Sequence, residues 1–63
     1  MNNTFAVRLN NELAARGLTS SDVREDALRA FVLDVERHYS ATLTAEEWDS
    51  AINNYSTTGT VIV

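Results

Sequence analysis

The chain holds one histidine, His38, with Asp34 four residues before it and Ser40 two residues after. Those are the members of a nucleophilic triad, in which a carboxylate orients an imidazole and the imidazole takes a proton from a hydroxyl. That chemistry needs the three groups to converge from separate elements in a shaped pocket. An Asp and a His four apart on one helix are surface neighbours, and a histidine near a helix C-terminus complements the dipole. The spacing is read as a solvated helix-end pair, and no catalytic residue is assigned.

Glu46, Glu47 and Asp49 are the second cluster. Carboxylates could hold an oxygen-seeking cation, but a calcium loop needs alternate acidic positions around a glycine turn, and none is written here. Adjacent helical residues diverge by about 100°, so these charges suit the positive end of a helix better than a metal. The sequence has no glycine-rich phosphate loop, no histidine pair and no dinucleotide fingerprint. It has no cysteine either. The expectation is a protein without cofactor or metal, and not an enzyme.

Two further side chains stand out as contact candidates. Trp48 is the only tryptophan; tryptophan is enriched at binding hot spots, yet a core position against Leu43 and Phe31 explains it more simply. Leu33 falls among Asp26, Arg29, Glu36 and Arg37, on the polar side of a long helical stripe. Leu33, Glu36, Glu46, Glu47 and Asp49 are therefore the expected partner-binding residues.

The elements that must position these groups follow from caps and periodicity. Thr44 with Glu47 three residues on forms a capping box, and Leu43 can staple against Trp48. The helix that follows, with Trp48, Ala51, Ile52 and Tyr55 at helical spacing, is expected to end near Asn54. Thr19 and Asp22 repeat the same grammar, and Val23, Ala27, Leu28, Phe31, Val32, Val35 and Tyr39 form a broad apolar stripe. That predicts the longest helix, from about Ser20 to Tyr39, with Glu25 and Arg29 in the favourable i, i+4 order.

Residues 3–16 have two readings. Phe5, Leu9 and Leu13 lie four apart and Gly17 suits a C-terminal stop, which favours a helix. Phe5, Val7 and Leu9 also alternate with polar or small residues, as in a half-buried strand. The last eight residues, Ser56 to Val63, are rich in β-branched side chains, which favours extended structure. Such a tail is expected to pair with its own N-terminal segment, a second copy or a partner's sheet edge. The predicted fold is mainly α, a three-helix arrangement over 1–55 with an extended tail at 56–63.

A chain of 63 residues makes one domain near the lower limit for independent folding. Its core must come from Phe5, Val7, Leu9, Leu13, Leu18, Val23, Leu28, Phe31, Val32, Leu33, Val35, Tyr39, Leu43, Trp48, Ile52, Tyr55 and Val61-Ile62-Val63. Burial and ordering nearly cancel at this size, so a homodimer or a permanent partner is an open alternative. The net charge is −4, and all five basic residues are arginine. No Lys/Arg cluster invites DNA; an acidic surface suits a basic protein, such as one with a nucleic-acid-binding groove. No apolar run is long enough to span a bilayer and the opening lacks a signal-peptide pattern, so a cytoplasmic location is expected.

The stretch Thr4-Phe5-Ala6-Val7-Arg8-Leu9-Asn10-Asn11-Glu12-Leu13 resembles the opening of ribbon-helix-helix antitoxins and repressors, and Val23 to Val32 is similar to that family's second helix. The resemblance implies a short N-terminal strand, DNA as partner, and Ala6 and Arg8 facing the groove. The residues themselves favour a small acidic inhibitor or regulator that occupies another protein's surface. Small acidic chains without cofactor motifs fit the class of inhibitors encoded by phages and mobile elements, anti-CRISPR-like blockers among them, which is an expectation from class and not from a residue match. A third reading is a precursor peptide, with a helical leader and a modified core at 56–63.

Overall fold

The computed structural model describes residues 4–62. It is mainly helical, with three α-helices and no sheet among the described residues: α1 (Thr4–Ala15), a single 3-10 turn (Ser20–Asp22), α2 (Glu25–Tyr39) and α3 (Ala45–Asn54). Asn3 and Val63, expected in the first helix and in the core, lie outside the described residues.

The N-terminal segment is a helix, and the strand implied by the ribbon-helix-helix resemblance is not there. Phe5, Leu9 and Leu13 recur every four residues and are all buried on one face of α1. Val7 sits about 200° round the helix from Phe5 and is exposed. Burying three large residues outweighs the alternation that a strand would have used. The helix then stops where Gly17 takes a left-handed φ of 75°. The Gly17 N–H donates to the Ala14 carbonyl at 3.0 Å and the Leu18 N–H to Leu13 at 2.8 Å. This is a Schellman motif, with Leu18 packed against the core beyond it.

The second helix begins later than the stripe predicts. Asp22 does accept the Thr19 N–H at 2.8 Å, but the cap closes only the 3-10 turn. Val23 and Arg24 are then extended, and an antiparallel bridge joins Val23 to Ser56. The Arg24 N–H donates to the Tyr55 carbonyl at 2.8 Å, and the Thr57 N–H to the Asp22 carbonyl at 2.9 Å. The tail thus pairs with the segment ahead of α2, and that competing backbone partner removes Ser20–Arg24 from the helix. Farther on, Asn53 holds the tail from α3. Its Oδ1 accepts from the Val61 and Ile62 N–H groups, both at 2.9 Å, and its Nδ2 donates to the Ile62 carbonyl at 2.8 Å. Val61 and Ile62 pack against the core.

The third helix starts as its caps predict. The Thr44 N–H donates to Glu47 Oε1 at 2.8 Å, and the Glu47 N–H to Thr44 Oγ1 at 3.2 Å. Leu43 and Trp48, the staple pair, are both buried. The core joins Phe5, Leu9 and Leu13 of α1 to Leu28 and Val32 of α2 and to Trp48, Ala51 and Ile52 of α3. Trp48 is 3% exposed. Its ring partner is Phe5, at 6.2 Å between centroids, rather than Phe31. Phe31 lies instead at 5.5 Å from Tyr55, at the margin of the core. Leu33 and Tyr39, expected inside, are exposed.

Leu9 has no exposure at all, so Leu9→Ala is expected to cost about 3 kcal/mol, the usual range for a cavity in a packed core. Thr44→Ala should cost about 1 kcal/mol through loss of the cap. Urea denaturation followed by far-ultraviolet circular dichroism measures both. Asn53→Ala removes three bonds to the tail, and hydrogen exchange at Val61 and Ile62 should accelerate while the amides of α1 stay protected.

Candidate functional site

The five residues expected to bind a partner do not share one face. Leu33 is 38% exposed and lines a shallow depression of about 250 Å³ with Asp26, Arg29 and Ala30 on the outer side of α2. Phe31 and Val35 point away from it, at about 160° round the helix. Glu36 turns inward. Its side chain is only 14% exposed and is gripped by the Arg8 guanidinium through two bonds, Nη1 to Oε1 at 3.1 Å and Nη2 to Oε2. Glu36 Oε2 also accepts the Leu43 N–H at 3.3 Å. Arg8 therefore serves the fold, with its guanidinium 5.9 Å from the Trp48 ring centre, and does not face outward as the DNA-binding resemblance implies.

Asp49 is likewise engaged. Arg16 Nε donates to Asp49 Oδ1 at 2.5 Å, while Arg16 Nη1 reaches Glu12 Oε1 at 2.9 Å and Arg16 Nη2 reaches the Ala45 carbonyl at 3.1 Å. A carboxylate held this way lies at the α1–α3 seam. Two ion pairs, Arg8 of α1 to Glu36 and Arg16 of the turn after α1 to Asp49, close one side of the α2–α3 pair.

The other side is open. Between α2 and α3 runs a groove of about 360 Å³. Its floor is apolar, made by Phe31 and Val35 of α2, Leu43 of the connection and Ala51 of α3. Its α3 wall is polar: Glu46, Glu47, Ser50 and Asn54. These α3 residues stand at i, i+1, i+4 and i+8, within about 100° of one another on one side of the helix. Glu46 is exposed, and among the described residues its side chain has no ion-pair or hydrogen-bond partner; its charge is offset only by the positive end of α3. Glu47 shares the rim but spends one oxygen on the Thr44 cap. No base occurs from residue 41 to 63 to neutralise either. Two of the expected contact residues, Glu46 and Glu47, are brought together here; Leu33, Glu36 and Asp49 are elsewhere. The apolar floor was the part sequence reasoning missed. Phe31 and Val35 belong to the same stripe as the core, and only the position of α1 decides which part of that stripe stays uncovered.

The residues with a superficial triad pattern do not assemble. Asp34 pairs with Arg37 at 3.4 Å, and the His38 ring meets Tyr39 edge-on at 4.7 Å. Among the described residues there is no group of three or more potential metal ligands, and no helix is long and apolar enough to cross a membrane. The segment that a precursor reading treats as substrate is hydrogen-bonded through its backbone to Asp22 and Asn53. Comparison of the chain with known protein families, curated proteins and solved structures finds no match.

The Arg8 bonds hold the Glu36 carboxyl below its ordinary value of 4.5, against the opposing effect of burial and with help from the Leu43 N–H. A carboxyl whose folded pKa is depressed stabilises the fold above its unfolded value and loses that contribution as pH falls through the folded one. Stability should therefore drop below about pH 4.5, and Glu36→Gln should flatten that part of the curve. At neutral pH, Glu36→Ala is expected to cost about 2 kcal/mol, since it strands a partly buried guanidinium. Leu33→Ser should change stability by less than about 0.5 kcal/mol.

Proposed function

We propose that this protein acts by binding another protein through the acidic rim and apolar floor of the α2–α3 groove, and that the partner presents a basic surface. The observation that carries the reading is the exposed, bond-free side chain of Glu46 at the edge of a groove where Phe31 and Val35 keep part of their apolar surface open. Opposite potentials steer encounter and fix register, while an apolar floor supplies the desolvated centre that holds affinity. The net charge of −4 acts in the same direction over longer range. The contact would inhibit or regulate by occupancy: a protein seated on a basic groove denies that groove to nucleic acid, as an anti-CRISPR-like blocker from a phage or mobile element does. The reading assigns no chemistry to the chain itself.

Glu46 is the informative position for a test. Reversing Asp49 would break the Arg16 seam, and reversing Glu47 would break the α3 cap, so both confound folding with binding. Glu46→Lys touches neither. With the tagged protein returned to the cells that encode it, the co-purified partner should carry a basic surface. Its affinity for Glu46→Lys should fall about tenfold at low salt, equivalent to ~1.4 kcal/mol, and the difference should shrink as salt rises. A partner that binds both forms equally at low salt rules out the acidic rim as the contact.

A further inference from the structure

The groove has the dimensions and chemistry of an unfilled helix position. We infer that its occupant is an amphipathic helical segment of the partner, seated along α3 with its cationic residues toward Glu46 and Glu47. The inference rests on the proposed binding function and adds the form of the bound element. The α3 wall runs from Glu46 to Asn54, which is about 12 Å at the helical rise, or a little over two turns. A helix laid there presents apolar side chains at i and i+3 or i+4 over that length. They would meet Phe31 and Val35, which keep exposed apolar surface above the buried Leu43 and Ala51.

The packing of the domain supports a helix as the occupant. On α3 the residues facing α1, Trp48, Asp49 and Ile52, lie on one side, and Glu47, Ser50 and Asn54 lie on the opposite side of the same helix. On α2, Leu28 and Val32 face the core while Phe31 and Val35 turn toward the groove. Helix α1 fills one side of the α2–α3 pair, and the groove is the matching vacancy on the other. Helices pack side by side by setting ridges into such furrows.

Charge complementarity sets the chemistry and the polarity of the occupant. Both carboxylates lie at the α3 N-terminal end of the groove, while Ser50 and Asn54 continue it as neutral wall. Glu46 and Glu47 would accept Arg or Lys, and an acidic helix would be repelled. The groove therefore distinguishes one end of the bound helix from the other.

The test uses the full chain, isotope-labelled, titrated with three synthetic peptides of about 20 residues, beyond the length at which isolated helices are marginal. One carries a leucine stripe at helical spacing and lysines at one end. The second replaces the lysines by glutamine. The third has the first one's composition in an order that abolishes the stripe. The expected result is that the first peptide shifts the amides of Phe31, Val35, Ala51 and Asn54. The glutamine version should bind about fivefold more weakly and the scrambled one at least about tenfold more weakly. Ser50→Arg, at an exposed wall position, should abolish the shifts while thermal unfolding stays unchanged.

Equal binding of the scrambled peptide, with shifts confined to Glu46 and Glu47, would overturn the helix seat and leave the acidic contact standing. Failure of every peptide to move the groove amides would overturn it as well. So would movement of the same amides on raising protein concentration alone, which would make a second copy the occupant. A native partner lost in Glu46→Lys but retained in Ser50→Arg would overturn the seat without touching the broader binding function.

Discussion

Arg8 lies on α1 and Arg16 in the turn just past its C-terminus, and they reach to different helices, the first to Glu36 of α2 and the second to Asp49 and the Ala45 carbonyl of α3. Between them Leu9 and Leu13 enter the core. A small chain with no cysteine has no covalent means of holding three short helices in register, and its buried surface is limited by its size. Directional charge-assisted bonds at the edges of the core fix the orientation that apolar packing alone leaves loose. Exposed pairs such as Asp34–Arg37 contribute little by comparison.

The same two ion pairs shape the charge of the surface. They draw Glu36 and Asp49 out of the acidic surface and cover the face of α2 and α3 nearest α1. Arg24 is spent on the Asn54 carbonyl and the Tyr55 ring, so little positive charge remains near the far side. What is left there is an apolar strip edged by Glu46 and Glu47. The fold leaves this edge acidic by engaging Arg8, Arg16 and Arg24 elsewhere, while Arg29 and Arg37 stay exposed on α2.

Much of this architecture is legible in the residues. The three helices, the Thr44–Glu47 cap, the Gly17 stop and the burial of Trp48 follow from local spacing and turn chemistry. The choice between helix and strand at residues 4–15 depends on whether Phe5, Leu9 and Leu13 find a common surface, which one segment alone cannot decide. The late start of α2 has a similar origin: Thr19 and Asp22 signal a cap, but the backbone of Tyr55 to Thr57, more than thirty residues away, claims Asp22 and Arg24 first. Glu36 was singled out for its acidity, yet its function in the fold is set by Arg8, 28 positions earlier. Pattern within a helix identifies which residues are apolar or charged; it does not say which of them another helix will cover.

The antiparallel bridge between Val23 and Ser56 has a consequence for how the domain forms. It closes a long stretch of chain around α2 and α3, so the loop-closure entropy must be met before the bridge contributes anything. Helices α2 and α3, neighbours in the chain, can meet early through local contacts, whereas the bridge belongs to the last steps of assembly. Because Arg24 donates its N–H to Tyr55 rather than to a side-chain cap, the first turn of α2 is completed only then. The Phe31–Tyr55 ring contact joins the same returning segment to a residue of the groove floor, so the end of the groove at Phe31 shares its support with the bridge.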